Sequence, residues 1–171
     1  LSCVVALREG RRAWIGGDSA LSETGAGDSG QITIRTPKVI KLGCYLVGRC
    51  GASSFDSVIE RLTWPKRHSR RWLFHGLGRQ ARKLARAEGI VLDGEALIVN
   101  AHGLWLLDDE LSVSEPLDPF ASVGSGCYVA LGALHATKTT RLAPGHRIRL
   151  ALSAAAHFDS YVRPPFTVLS C

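Results

Sequence analysis

The first eighteen residues limit most strongly what this chain can become. Leu1-Ser2-Cys3-Val4-Val5-Ala6-Leu7 is an apolar strand from the very start of the sequence, and Arg8-Glu9-Gly10-Arg11-Arg12 turns it back. Ala13-Trp14-Ile15-Gly16-Gly17-Asp18-Ser19 returns as a second strand that ends on a carboxylate. A hairpin of this kind places the hydroxyl of Ser2 or the thiol of Cys3 inside the fold, next to backbone at the chain's origin.

Beyond the hairpin, residues 20–37 are polar and Gly-rich and read as a loop. Thr36 to Gly43 reads as a short strand and turn, and Cys44 to Gly51 as a further strand. Ala52-Ser53-Ser54-Phe55 opens a helix with Ser53 or Ser54 as cap; Phe55, Val58, Ile59 and Leu62 share one face, and Pro65 ends it. Trp72 to Glu88 supports a second helix stopped by Gly89, with Gly76 and Gly78 weakening its front half. Residues 96–100 and 104–107 are strands around a turn, and Phe120 to Val123 is a strand that enters the Gly-rich turn 124–126. Cys127 to Lys138 and Arg147 to Val162 are helices, and Phe166 to Ser170 is a closing strand. Strands and helices come in runs rather than in strict alternation, which predicts an α+β fold in layers: two sheets face to face between helix layers. All 171 residues are expected to form one domain.

Composition narrows the function classes. No apolar run approaches the roughly 20 residues that span a bilayer, and no signal peptide is legible, so a membrane role is not expected. Five cysteines, Cys3, Cys44, Cys50, Cys127 and Cys171, make an odd count without close pairs. That argues against zinc and for a reducing cytoplasm. The net charge of +6 is local, in Lys66-Arg67-His68-Ser69-Arg70-Arg71 and in Arg79, Arg82, Lys83 and Arg86. A solvated helix face or a subunit contact explains such a run, and no phosphate loop, zinc finger or stacking motif accompanies it, so nucleic acid is not expected as a partner. His75, His102, His135 and His157 read as structural or exposed residues.

Chemistry concentrates at the start. An α-amine is basic near neutral pH, with an unperturbed pKa of about 8. It can take the proton of a neighbouring hydroxyl or thiol nucleophile, as in N-terminal-nucleophile hydrolysis. Together with the hairpin, Gly17-Asp18-Ser19, Thr36-Pro37-Lys38-Val39, Arg49-Cys50-Gly51-Ala52 and Val123-Gly124-Ser125-Gly126 follow in order. In these segments the chain resembles the proteasome β-subunit superfamily, most of all its HslV and bacterial proteasome homologue (BPH) branches. Ala130-Leu131-Gly132-Ala133, Phe158-Asp159 and the closing strand favour the latter.

The resemblance implies a four-layer αββα sandwich and a self-compartmentalising peptidase that cleaves unfolded polypeptide. It places Ser2 at the nucleophile position, where the family has Thr, with Asp18 and Lys38 as buried partners. Gly51 would supply the oxyanion amide, and Ser125 and Asp159 would complete the hydrogen bonding around the amine. Ser22 matches a position whose backbone binds substrate as an added strand. Arg49 matches the base of the first specificity pocket, where it would favour acidic residues before the cut. The resemblance also implies two stacked rings of seven copies, fourteen subunits, with rings of six as the alternative; it implies no metal or organic cofactor.

Alternatives stay open at this level. Leu1 precedes Ser2, and while it remains the Ser2 nitrogen is an amide, so a catalytically silent or unprocessed ring scaffold is the competing reading. Val162 stands where the family often has a serine three residues after the Asp159 position. A register shifted by one would make Cys3 the nucleophile.

Overall fold

Side-chain alternation along the strands builds the molecule, and it is legible in which residues meet. The structure, a computed structural model, describes residues 2–22 and 31–171. In chain order, β1 (Val4–Glu9) and β2 (Arg12–Gly17) form the N-terminal hairpin, and β3 (Ala20–Ser22) and β4 (Gln31–Thr33) pair as a small ribbon. Next come β5 (Val39–Leu42), β6 (Tyr45–Gly51) and α1 (Ser53–Arg61). A π-helical segment (Trp72–Leu77) continues into α2 (Gly78–Glu88). Then follow β7 (Gly94–Asn100), β8 (Gly103–Leu107), β9 (Val113–Ser114) and β10 (Phe120–Val123). The helices α3 (Cys127–Ala136) and α4 (Pro144–Phe158) precede the last strand, β11 (Thr167–Ser170).

One antiparallel sheet has the order β10-β1-β2-β11 and the other β5-β6-β7-β8-β9. Period-two burial then defines three apolar layers. Val4, Ala6 and Ile15 meet Val39, Leu46, Leu97 and Val99 between the sheets. On the outer face of the first sheet, Cys3, Val5 and Leu7 pack against Ala130, Leu134, Ile148 and Leu152 of α3 and α4. On the outer face of the second, Tyr45, Val47, Ile98 and Trp105 pack against Phe55, Ile59, Leu73 and Leu77. This is the expected αββα sandwich. Among the described residues no helix is long and apolar enough to cross a membrane.

Four local expectations need correction. The segment 20–37 is not all loop, because Ala20–Ser22 and Gln31–Thr33 pair in register Ala20↔Thr33. Neither Ser53 nor Ser54 caps α1: the N-cap is Ala52, with no side-chain bond, and its N–H is taken by the Asp93 carbonyl at 2.8 Å. The same helix ends at Arg61 rather than at Pro65; Leu62 is already extended, and the Trp64 indole N–H donates to the Ile59 carbonyl at 2.8 Å. α4 starts at Pro144, three residues before the expected Arg147, and stops at Phe158 rather than Val162. Proline suits a first helical turn because its missing N–H would have no partner there.

Candidate active site

The alternation that builds the core also separates Ser2 from Cys3. Val4 and Ala6 point between the sheets, so Cys3 points the other way, into the α3–α4 layer. There its Sγ lies 3.7 Å from Ser122 Oγ, and burial pushes the thiol up to about 12. Enclosed there, the thiol is held protonated and away from the surface, which counts against the shifted register.

Ser2 stands instead at the end of the sheets where β1 begins, β2 ends, β5 begins and β6 ends. Lys38 Nζ donates to Ser2 Oγ at 2.6 Å and to Asp18 Oδ1 at 2.8 Å. Asp18 Oδ1 also accepts the Cys3 N–H at 3.0 Å, and its Oδ2 accepts the N–H groups of Ala20 at 2.8 Å and Arg163 at 3.3 Å. All three side chains are buried, Lys38 being 8% exposed. A buried ammonium is tolerated because the carboxylate next to it is itself fully hydrogen-bonded. The segment after α4 reinforces the arrangement: Ser19 N–H donates to the Arg163 carbonyl at 2.9 Å and Ser19 Oγ to the Pro165 carbonyl at 2.6 Å.

The turn 124–126 clamps the backbone of Ser2. Ser2 N–H donates to Ser125 Oγ at 3.2 Å; Ser125 Oγ and Gly126 N–H donate to the Ser2 carbonyl at 3.3 and 3.2 Å. Gly124 has φ +91°, and a Cβ there would lie 2.4 Å from the Ser2 carbonyl oxygen. Only glycine fits so close to the chain in that conformation. Ser125 therefore serves Ser2 rather than capping α3, whose N-cap is Gly126. Gly51, with φ +142°, closes β6; a Cβ there would lie 2.4 Å from both the Asp93 carbonyl oxygen and the Gly94 Cα.

A cavity of about 510 Å³ opens in front of this cluster, and Ser2, Lys38, Gly51 and Arg49 all line it. Ala20 and Leu21 of β3 also line it. Ser22 ends that strand, its backbone paired with Gln31. Asp159 follows the last turn of α4; its Oδ1 accepts the Tyr161 N–H at 2.8 Å, and its Oδ2 is buried with no hydrogen-bond partner among the described residues.

Arg49 departs from expectation. Its guanidinium is 2% exposed and already forms an ion pair with Glu60 through Nη1, with weaker bonds to the Asp56 and Pro37 carbonyls at 3.4 Å. Asp56 sits beside it with Oδ1 buried and without a hydrogen-bond partner among the described residues, and burial raises its carboxyl above the ordinary range although Arg49 opposes the shift. Arg49 is thus a cation already neutralised with a second carboxyl beside it, and Lys38 and Arg61, paired with Asp18 and Glu88, also line the pocket. Acid selectivity does not follow from Arg49 alone. Asp56 and Glu60 were missed in the sequence; their spacing of one helical turn just after Gly51 was the available signal.

No protein-family model matches the chain, and no curated protein matches it in sequence. Solved structures do match. The BPH of Thiobacillus denitrificans superposes with a TM-score of 0.83 at 21% identity, over 99% of this chain and 97% of that one. The same protein in complex with epoxomicin gives 0.79 at 22% identity, again over 99% and 97% of the two chains. HslV of Trypanosoma brucei gives 0.72 at 17% identity, over 98% of each chain. The chain thus has the fold of proteasome- and HslV-type subunits over its whole described length, as its motif order suggested.

Proposed function

We propose that the chain is a proteasome/HslV-type peptidase whose nucleophile is Ser2 Oγ, acting once Ser2 bears a free α-amine. One observation carries this reading: a buried Lys38–Asp18 pair aims a charged donor at Ser2 Oγ, 2.6 Å away, in the wall of a cavity that also holds Gly51. A merely structural serine needs neither the buried ion pair nor the cavity.

In the proposed reaction, Ser2 Oγ forms a bond to the scissile carbonyl carbon while its proton passes to the α-amine, directly or through water. The Lys38 ammonium stabilises negative charge on Oγ and, by like-charge repulsion, disfavours a proton on the amine. The Gly51 N–H would receive the oxyanion. Breaking the C–N bond returns the proton to the leaving amine, and water, activated by the same α-amine, hydrolyses the ester. Ser125 holds the amine end, and Asp159 would complete the hydrogen bonding around it. Backbone next to Ser22 in β3 aligns an extended, unfolded substrate as an added strand. No cofactor enters the scheme.

The chain acts as a homo-oligomer in this reading, two stacked rings of seven copies with six as the alternative. Tyr128 and Phe158 on the α3–α4 layer support association, being 84% and 76% exposed in the single chain. The catalytically silent scaffold is the second reading. It is favoured by Val162, which leaves Asp159 Oδ2 without a hydroxyl partner from that position.

Epoxomicin is the probe, since it is bound by the BPH that shares this fold. Intact mass of the purified protein fixes its first residue, and a second mass after epoxomicin reports labelling. A chain beginning at Ser2 is expected to be labelled and to cleave unfolded casein, with both lost in Ser2→Ala. A chain that begins at Ser2 yet is neither labelled nor active would establish the scaffold instead.

A further inference from the structure

The second sheet has another end. Gly43 follows Lys38 by five residues of mostly extended chain, roughly 16 Å away. There the β5–β6 turn, the β7–β8 turn and the chain ahead of the π-helical segment surround a cavity of about 680 Å³. Lys41, Lys66, Arg67, His68, Asn100 and His102 line it, and among the described residues the lining contains no carboxylate side chain. Among the described residues, none of the three cations forms an ion pair.

The two imidazoles are held as a platform. His68 stacks on His102 with centroids 4.6 Å apart and planes 14° from parallel, and on buried Trp105 at 5.3 Å and 18°. The Ser69 N–H donates to Tyr45 Oη at 2.9 Å, and Tyr45 Oη lies 3.3 Å from His68 Nδ1, where either atom can be the donor. In the tautomer whose Nδ1 accepts from the tyrosine, neutral His68 carries its proton on Nε2, where it is a donor. Burial, then the neighbouring His102 and Arg70, hold His68 below the usual histidine range, so the neutral form prevails. Cys44 and Cys171 also border the cavity, yet among the described residues no group of three His, Cys, Asp or Glu side chains is placed to hold a metal ion.

Imidazole N–H groups and three cations without an ion pair, with no acidic side chain among the described lining residues, form a receptor for negative charge. We propose that this cavity is an oxyanion-binding site, taking a carboxylate or phosphate group against the His68–His102 platform with Lys41, Lys66 and Arg67 as counter-charge. Side chains that were merely solvated would bind anions weakly and without preference for this end of the sheet.

Calorimetry at low salt tests it, in a Ser2→Ala background so that no peptide is consumed. The probes are inorganic phosphate, and a short peptide with a free C-terminal carboxylate beside its amide. Saturable binding of phosphate, or of the free-acid peptide but not the amide, supports the site and says which oxyanion it takes. Lys66→Ala with Arg67→Ala should weaken that binding by about tenfold or more. Both side chains are exposed, so the fold should not suffer. Arg82→Ala with Lys83→Ala removes the same charge elsewhere and should leave binding intact. Absence of saturable binding, or equal weakening in the two double variants, would overturn the proposal. No readout uses peptidase activity, so the result is independent of the reading given for Ser2.

Discussion

The two walls of the Ser2 cavity are built in different ways. On the Ser2 wall, Asp18 accepts three backbone N–H groups, from Cys3, Ala20 and Arg163, besides Lys38. On the facing wall, buried Arg49 leans on Glu60, which is 47% exposed, while Arg49 Nε and Asp56 Oδ1 are buried without partners among the described residues. Main chain from separate parts of the fold fixes the first wall; side chains of α1 decide the second. A geometry held by backbone survives loss of one side chain, whereas a balance among three charges shifts with each. The first wall should therefore set whether the site works, and the second what it accepts.

The largest effect should come from Lys38→Ala. Asp18 keeps its three backbone donors, so the protein should still fold and assemble. Ser2 Oγ loses its charged donor, and peptide cleavage should fall by about a hundredfold or more, the range for losing one positioned polar group. Epoxomicin labelling should slow in parallel. Cleavage at the wild-type rate in Lys38→Ala would break the comparison at its stronger side.

The clustering of the Ser2 wall was largely legible in the sequence because its parts mark strand ends. Ser2, Asp18, Lys38 and Gly51 each lie where a strand starts or stops, and strands paired in antiparallel register bring those ends together. Gly124-Ser125-Gly126 was legible as a turn, and its contact with Ser2 follows from Val4↔Val123 pairing. The specificity wall was not. Reading Phe55, Val58 and Ile59 as the buried face of α1 says nothing of whether flanking Asp56 and Glu60 meet solvent or the end of β6. Only the crossing of α1 over Arg49 decides that. Ser53 and Ser54 were misjudged as caps because local propensity was outweighed by the bond from Ala52 N–H to Asp93, a contact distant in sequence. His68 and His102 likewise look unremarkable until the β7–β8 turn stacks them.

Glu60→Gln sharpens the comparison from the other side. The amide keeps an acceptor for Arg49 but removes the charge that neutralises it. Cleavage after glutamate should rise relative to leucine by about tenfold, the worth of one partly desolvated ion pair, with little change in overall rate. Three otherwise identical peptides with Glu, Leu or Arg before the cut measure it. An unchanged ratio would mean that Arg49 does not reach the substrate.

The smallest effect concerns Asp56, and it is one of stability. Burial holds its carboxyl above the ordinary range, so the folded chain grips that proton more tightly than the unfolded one does. The carboxyl then favours folding where it is protonated and weakens the fold as pH rises through its folded value. Asp56→Asn removes the ionisation. Its melting temperature should exceed wild type by a few degrees near neutral pH, roughly the response to 1 kcal/mol in a chain of this size. The gain should shrink towards zero below about pH 4, the unperturbed carboxyl value, where both states of the wild type are protonated. Thermal melts of the two proteins across that range measure it, and a gain that persisted undiminished in acid would show that charge burial at Asp56 is not its source.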